Sequence, residues 1–115
     1  MTDWPGLALH HISDALFITD RLHKVTWLNR SSEEIFGITS GESRGRLIAE
    51  VTGIEQLTTL LDDLFEQGAP HESTFEKVEV VMKYSGRRYY FKVAVSPIKD
   101  VTGFTGALVQ LTDIT

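Results

Sequence analysis

The fold of this chain is decided by the stretch ALFITDRLHKVTWLN, residues 15–29. It holds two short runs rich in strand-forming residues, ALFITD and VTWLN, with a polar turn sequence between them. Strands joined by so short a connection run antiparallel, so the stretch predicts a β-hairpin. The other strands and the helices are expected to add to this hairpin.

Three helix-start signals follow the hairpin in close succession. Each places a carboxylate three residues after a hydroxyl, which is the spacing of a capping box: Ser31 with Glu34, Thr39 with Glu42, and Thr52 with Glu55. The third signal precedes an amphipathic helix that ends near Gly68 and Pro70. Its apolar residues fall on one face at helical spacing: Ile54, Leu57, Leu60, Leu61, Leu64 and Phe65.

The C-terminal half of the sequence predicts three more strands. Apolar and polar residues alternate over three segments, residues 72–84, 87–98 and 104–112. Pro97 cannot donate to a strand ladder, so pairing should weaken or bulge there, and Gly106 should mark a bulge or a close backbone contact. The predicted fold class is α+β, a five-stranded antiparallel sheet with helices packed on one face, in the order ββαααβββ.

Length and composition narrow the class of protein. A chain of 115 residues suits one domain, and its net charge of −5 disfavours a surface for nucleic acid or anionic membranes. The absence of cysteine excludes disulfides, thiolate nucleophiles and cysteinyl-flavin photochemistry. No apolar run approaches the roughly 18 residues of a membrane span, and no signal peptide is recognisable, so a cytoplasmic location is expected.

Several strings of the sequence together resemble the Per-Arnt-Sim (PAS) sensor family. SDALFITD, a short turn and VTWLNRSSEEIFGIT are similar to the first half of that family. The first-half likeness is carried by Asp20, Asn29, Glu34, Phe36 and Gly37. VAVSPIKDVTGFTGALVQLTDIT is similar to the second half, which ends in Asp-Ile-Thr. The resemblance covers residues 12–115, and residues 1–11 are expected to form a leading segment with a short helix.

The resemblance implies a regulatory role. It implies a signal-sensing or dimerisation module of a larger bacterial-type signalling protein: a histidine kinase of a two-component system, a diguanylate cyclase or a transcription activator. The domain would be cut where a C-terminal linker helix begins, with Asp113, Ile114 and Thr115 as the signal-output motif. An output domain would be covalently linked, and this domain would not itself bind nucleic acid.

The resemblance also implies a small-molecule cavity between the helices and the inner face of the sheet. Strand alternation and the helix stripe place these candidate residues there: Phe17, Thr19, Phe36, Leu57, Leu61, Phe75, Phe91, Val93 and Leu111. Ligand cavities have mostly apolar walls with a few polar groups, and Thr19 is the polar candidate here. The alternative is a core filled by the same side chains, which would make the chain a ligand-free dimerisation relay.

The outer face of the sheet is the expected interface of a homodimer. Alternation projects apolar residues there, and an apolar patch on an exposed sheet marks an interface. The resemblance adds the leading helix, and the interface candidates are then Leu9, Leu16, Ile18, Tyr90 and Leu108. Cover by residues 7–12 of the same chain is the alternative.

The sequence carries no motif for catalysis or for metal binding, so no catalytic or metal residue is assigned. Asp62 and Asp63 diverge by about 100° on a helix and do not converge on one substrate. The long helix offers no axial histidine, which disfavours haem, and the identity of any cofactor stays open. A small conical α+β enzyme of the isomerase kind remains an alternative, and it would need an Asp or His buried beside the cavity.

Four positions depart from the family pattern. His23 occupies a turn position where glycine is commoner, and histidine tolerates a positive φ at some cost. Ser43 and Arg44 stand where apolar residues are usual, which predicts a loosely packed second short helix. Leu111 stands where the light-sensing branch has a glutamine, and the adjacent Gln110 should face the other side of the sheet.

Overall fold

The computed structural model describes residues 14–66, 73–82, 86–101 and 103–114. The elements in chain order are β1 (Ala15–Asp20), β2 (Val25–Leu28), α1 (Arg30–Phe36), α2 (Ser40–Ser43), α3 (Ile48–Thr52), α4 (Gln56–Glu66), β3 (Ser73–Val81), β4 (Arg88–Asp100) and β5 (Gly103–Asp113). The α+β class and the predicted order of strands are confirmed, and β1 has its predicted bounds. The described helical segment contains four helices, because α3 forms a short helix of its own.

The five strands form one antiparallel sheet in the spatial order β2-β1-β5-β4-β3. The first and last strands are therefore neighbours inside the sheet, and Ala15 at the start of β1 lies opposite Leu111 near the end of β5. Successive side chains of a strand point to opposite sides. The inner face, which carries Phe17, packs against the helices, and the outer face carries Ile18.

The first helix has a different cap from the predicted one. Asn29 is the N-cap of α1, and the predicted cap at Ser31 is wrong. Asn29 has extended backbone (φ −88°, ψ 174°), and its side-chain oxygen accepts a hydrogen bond from the Ser32 amide. Both residue types are good caps, and Asn29 prevails because it directly follows β2 and also bonds to β1. The predicted helix stop at Gly37 is confirmed by its left-handed φ of 64°.

The two later cap predictions have opposite outcomes. The cap at Thr39 is confirmed, since its Oγ1 accepts from the Glu42 amide at 3.2 Å and donates to Glu42 Oε1 at 2.8 Å. The cap at Thr52 is wrong, because this residue ends α3 instead of starting α4. Its hydroxyl donates to the Ile48 carbonyl at 2.8 Å and accepts from the Ile54 amide at 3.2 Å. Thr52 thus ties α3 to the turn that precedes α4.

The segment that follows α2 is held against the hairpin. The Gly45 amide donates to the Val25 carbonyl and the Val25 amide donates to the Arg46 carbonyl, both at 2.8 Å. Ser43 is fully buried beside this connection, while Arg44 is exposed. The prediction of loose packing is therefore wrong for Ser43, whose small side chain fits the buried position.

The long helix α4 is amphipathic, as predicted. Leu57, Leu61 and Leu64 are fully buried, while Thr58 and Asp63 are exposed. With 11 residues it is the longest of the described helices. No helix in the described ranges combines the length and apolar character needed to cross a membrane.

The sheet is irregular around the C-terminal end of β1. The pairing of β1 with β2 shifts register just before Thr19, and the pairing of β4 with β5 shifts between Ile98 and Lys99. Pro97 itself stays in register with Ala107, so the irregularity predicted there lies one residue further along, after Ile98. The close contact predicted at Gly106 is confirmed, since a Cβ there would overlap the Thr19 carbonyl oxygen.

Candidate functional site

The residues predicted to line a cavity are brought together on the inner face. The sheet contributes Phe17, Phe91, Val93 and Leu111, α4 contributes Leu57 and Leu61, and α1 contributes Phe36, all buried in one hydrophobic cluster. Phe75 lies opposite Val93 in the β3–β4 pairing, and its side chain is outside the described part. These side chains fill the middle of the inner face.

A row of aromatic rings joins α1 to the sheet. The ring centroid of Phe36 lies 5.9 Å from that of Phe17, edge to face, and 5.8 Å from that of Phe91, stacked. Tyr89 stacks on Phe91 at 5.9 Å, and Arg87 Cζ lies 5.4 Å from the Tyr89 centroid. Aromatic pairs contribute about 0.5–1.5 kcal/mol each beyond their buried area. A movement of Phe36 would therefore disturb ring contacts with both β1 and β4.

Thr19 is the polar exception on the inner face. It is 1% exposed, and its Oγ1 is the one buried side-chain nitrogen or oxygen among the described residues that has no hydrogen-bond partner. Its neighbours in register are Val25 and Ala107, whose side chains offer no acceptor. An unsatisfied buried hydroxyl costs about 1–3 kcal/mol. Thr19 therefore carries an unused hydrogen-bonding group on the inner face of the described part.

A cleft of about 280 Å³ opens where α1 and α3 end beside the end of β3. Its lining combines buried Phe36 and Met82 with half-buried Ile38 and Val51 and exposed Arg46 and Glu50. The free space therefore lies at one end of the predicted site, where Phe36 belongs both to the cleft and to the aromatic row. Thr19 lies two residues beyond Phe17 on β1, about 7 Å further along the strand toward the hairpin turn.

The polar groups of the cleft are already paired or exposed. Arg46 Nη2 lies 3.6 Å from Glu50 Oε2, and both side chains are more than half exposed, so the pair contributes little to stability. The Thr52 hydroxyl is occupied within the chain. The cleft thus combines buried Phe36 and Met82 with an exposed charge pair, and its lining is about half polar.

A buried polar network fastens α1 to β1. Asn29 Oδ1 accepts from the amides of Leu16 and Ser32, each at 3.0 Å, and its Nδ2 donates to the Asp14 carbonyl at 2.9 Å. The Ser32 hydroxyl lies 2.9 Å from the Leu16 carbonyl oxygen and 2.8 Å from Asn29 Oδ1, and its one proton can serve either acceptor. Satisfied networks in a low-dielectric interior are stiff. This network therefore sets the position of α1 on the sheet.

Asp14 joins the beginning of β1 to the end of β5. Its Oδ2 accepts from Gln110 Nε2 at 2.7 Å and from Thr112 Oγ1 at 3.1 Å. Because its carbonyl accepts from Asn29, the same residue is bonded to the cap of α1. The bonds of Asp14 therefore connect α1 to the strand that leads into the output motif. The role of Asp14 was not predicted, because its hydrogen-bond partners are distant along the chain.

The predicted output motif begins at Asp113, the last residue of β5. Asp113 lies opposite Phe91 in the β4–β5 pairing, and the Ile114 amide donates to the Tyr90 carbonyl at 2.8 Å. Ile114 is exposed, and Thr115 lies outside the described residues.

The outer face carries the predicted dimer contacts. Leu16 is 2% exposed, while Ile18, Tyr90 and Leu108 are half-buried in the single chain. Leu9 lies outside the described residues. The assignment of this face to a dimer stays a prediction. Ile18, Tyr90 and Leu108 each keep exposed surface that a dimer would bury.

The hairpin turn contacts α4 through side chains that no sequence pattern connects. His23 has the positive φ (68°) expected at this departure from glycine. Its ring stacks on Phe65 with centroids 6.2 Å apart, and its Nε2 lies 3.2 Å from Asp62 Oδ1. Arg21 Cζ lies 5.9 Å from the Phe65 centroid. The turn and the helix therefore meet in one cluster of Arg21, His23, Asp62 and Phe65.

This cluster does not supply the group that an enzyme would need. The side chain of His23, the one histidine in the described ranges, is 17% exposed and faces α4 at the turn instead of the inner face. The buried polar side chains of the described part are Thr19, Asn29, Ser32, Ser43 and Thr52, which include no carboxyl or imidazole. Within the same residues, no three His, Cys, Asp or Glu side chains converge to hold a metal ion.

The sequence profile described as PAS fold matches residues 7–114 of the chain. The PAS domain of a protein from Colwellia psychrerythraea has a TM-score of 0.77 and 23% identity, covering 98% of this chain and 96% of that chain. The PAS domain of nitrogen regulation protein NR(II) from Vibrio parahaemolyticus has a TM-score of 0.76 and 22% identity, covering 98% and 100%. The sensory box sensor histidine kinase from Vibrio cholerae has a TM-score of 0.70 and 18% identity, covering 97% and 90%. No curated protein matches the sequence.

Proposed function

The chain belongs to the PAS family, and from that premise we propose that it is the sensory and regulatory module of a larger signalling protein. The names of two structural relatives, a nitrogen regulation protein and a sensor histidine kinase, support this proposal. The module is cytoplasmic and homodimeric, has no catalytic activity, and is joined to an output domain. That output is a histidine kinase, a diguanylate cyclase or a transcription activator.

The signal is a small molecule that binds between the helices and the inner face. The observation that carries this part of the proposal is the Thr19 hydroxyl, which is buried without a partner on an otherwise apolar face. A ligand with an apolar body and one polar group would satisfy it, since ligand sites combine apolar walls with few polar contacts. The cleft beside Phe36 supplies free space at one end of the same face.

The bonded contacts offer a route from this site to the output motif. A ligand beside the aromatic row would move Phe36 and with it α1, whose cap residue Asn29 is bonded to Asp14. Asp14 in turn holds Gln110 and Thr112, directly before the output motif. The ligand shifts the output only as far as its affinities for the two arrangements of these contacts differ.

Native mass spectrometry of the freshly purified protein tests the ligand. We expect added mass from a small molecule in the wild type and a clear loss of that mass in Thr19→Val, which removes the hydroxyl at constant shape. Thr26→Val is the matched control, because Thr26 is exposed on the neighbouring strand and should keep the adduct. An adduct that survives Thr19→Val unchanged would contradict the role of this hydroxyl.

The Asp14 bonds favour a second candidate, a ligand-free relay. They tie the beginning of β1 to the end of β5, so that a movement imposed on the chain entering β1 passes directly to the chain leaving β5 without a ligand. The same spectra separate the two functions. A clean dimer without added mass, which also shows no stabilisation by a metabolite set, supports the relay and contradicts the ligand sensor.

A further inference from the structure

The hairpin turn, residues 21–24, is firmly held by its own strands. Asp20 Oδ1 accepts from the Leu22 amide at 2.8 Å and from the Lys24 amide at 3.0 Å. The His23 amide donates to the Asp20 carbonyl at 3.1 Å, and its carbonyl accepts from the Ile48 amide at 2.9 Å. The turn is therefore anchored to β1, to β2 and to the start of α3. If turn and α4 separate, the helix is the part that moves.

The helix side of this contact is less constrained. α4 packs on the sheet through Leu57, Leu61 and Leu64, and such apolar packing is not directional. The directional contact that the described residues give to its second half comes from Asp62, which faces His23. The Phe65 ring stacks on the His23 ring and lies beneath the Arg21 guanidinium. The turn therefore holds the C-terminal end of α4 through directional side-chain contacts, in addition to the apolar packing of the helix on the sheet.

The backbone of His23 shows that the side chain matters here. A non-glycine residue at φ 68° is strained, and strain of this kind persists where the surroundings over-determine it. Glycine would relieve the strain, but Asp62 would lose its partner on the turn and Phe65 would keep only Arg21 there. The contact with α4 offsets the strained conformation that the histidine adopts.

The turn that contacts α4 directly follows the end of β1 that carries the unsatisfied hydroxyl. Thr19 is followed immediately by Asp20, the residue that organises the turn. We infer that the cluster of Arg21, His23, Asp62 and Phe65 is a latch that holds α4 over the Thr19 end of the inner face and controls access to it. This inference rests on the proposed ligand site, because it assigns a means of entry to that site.

The absence of cysteine allows a direct test that needs no ligand. Thr19→Cys places a single thiol at the end of the inner face, and its reaction with 5,5′-dithiobis(2-nitrobenzoic acid) reports how often that end opens. Adding Asp62→Ala should raise the reaction rate about tenfold, the factor expected on loss of a hydrogen bond to a charged group. Adding Asp63→Ala changes the same helix at an exposed carboxylate and should leave the rate unchanged.

Two further measurements separate latch opening from general loosening. Ala15→Cys puts the thiol at the opposite end of β1, also fully buried, and Asp62→Ala should not accelerate its reaction. His23→Gly relieves the backbone strain while removing the ring, so the Thr19→Cys reaction should accelerate with little change in global stability. Hydrogen exchange of α4 amides in Asp62→Ala, with threonine kept at position 19, should show the same local loss of protection.

Equal acceleration by Asp62→Ala and Asp63→Ala, or equal acceleration at positions 15 and 19, would overturn the latch. Unchanged exchange of the α4 amides would do so as well. None of these results bears on the hydroxyl of Thr19 as a ligand contact. In the same way, absence of a ligand adduct in the wild-type protein would leave the labelling result intact, so the two proposals fail separately.

Discussion

Gly106 passes so close to Thr19 that a Cβ on residue 106 would overlap the Thr19 carbonyl oxygen. The approach occurs between β1 and β5, two neighbouring strands inside the sheet, where no strand can move alone. We expect Gly106→Ala to lower the free energy of unfolding by about 1–3 kcal/mol, because the backbone must shift to admit the methyl group. Urea unfolding followed by circular dichroism measures the change.

Gly41→Ala is the matched control for that substitution. Gly41 lies in α2, and a Cβ on residue 41 would meet no atom of the described part of the chain within 4 Å. Alanine should therefore be neutral or slightly stabilising there. Similar losses at both positions would mean that the close approach at Gly106 is not what makes glycine necessary.

The unsatisfied Thr19 hydroxyl should lower the stability of the ligand-free protein. Thr19→Val removes the unsatisfied oxygen at constant shape, and we expect it to raise the free energy of unfolding by about 1 kcal/mol. Thr52→Val makes the same chemical change where the hydroxyl has two bonds, and should lower stability by about 1–2 kcal/mol. A destabilising Thr19→Val in ligand-free protein would show that the oxygen is satisfied after all.

The two side-chain caps should differ in strength. Asn29→Ala leaves the Leu16 and Ser32 amides without their buried acceptor, and we expect a loss of about 2–4 kcal/mol. Thr39→Ala removes an exposed cap and should cost about 1 kcal/mol or less. Chemical unfolding measures the loss of stability in both variants. Equal losses would indicate that the Asn29 network contributes no more than an ordinary cap.

The outer face can be tested as a dimer interface. Leu108→Glu places a charge in the middle of the half-buried outer face, and burial of an unpaired charge should weaken a dimer at least about tenfold. Sedimentation velocity over a concentration series gives the dissociation constant. Thr58→Glu adds the same charge to the exposed side of α4 and serves as the control. A dimer that resists Leu108→Glu must use another face.

The strands were predictable because their signals are local. Strand-forming residues and the polar turn in ALFITDRLHKVTWLN predict the hairpin, and the bounds of β1 agree with the prediction to the residue. The short helix α3 escaped prediction because it starts after Leu47 with no side-chain cap, so its sequence carries no start signal. Asn29 and Ser31 are equally suitable caps by type, and the Leu16 amide that favours Asn29 comes from another strand.

The site was predictable only in part, because several of its contacts join residues that are distant along the chain. Strand period placed Thr19 on the inner face, whereas the lack of a bonding partner depends on Val25 and Ala107 across the sheet. The contact of His23 with Asp62 joins a turn to a helix far along the chain, and only the fold brings them together. The location of the cleft likewise depends on where three separate elements end.

The pairing of β1 with β5 also has a mechanical consequence. Because Ala15 lies beside Leu111 and the strands run antiparallel, the chain enters and leaves the sheet on the same side. A force that pulls the start of β1 away from the end of β5 would break the hydrogen bonds between these strands one pair after another. It would not load all of them at the same time. The domain should therefore yield to a weak pull applied at these two strand ends, opening from Ala15 toward Asp20.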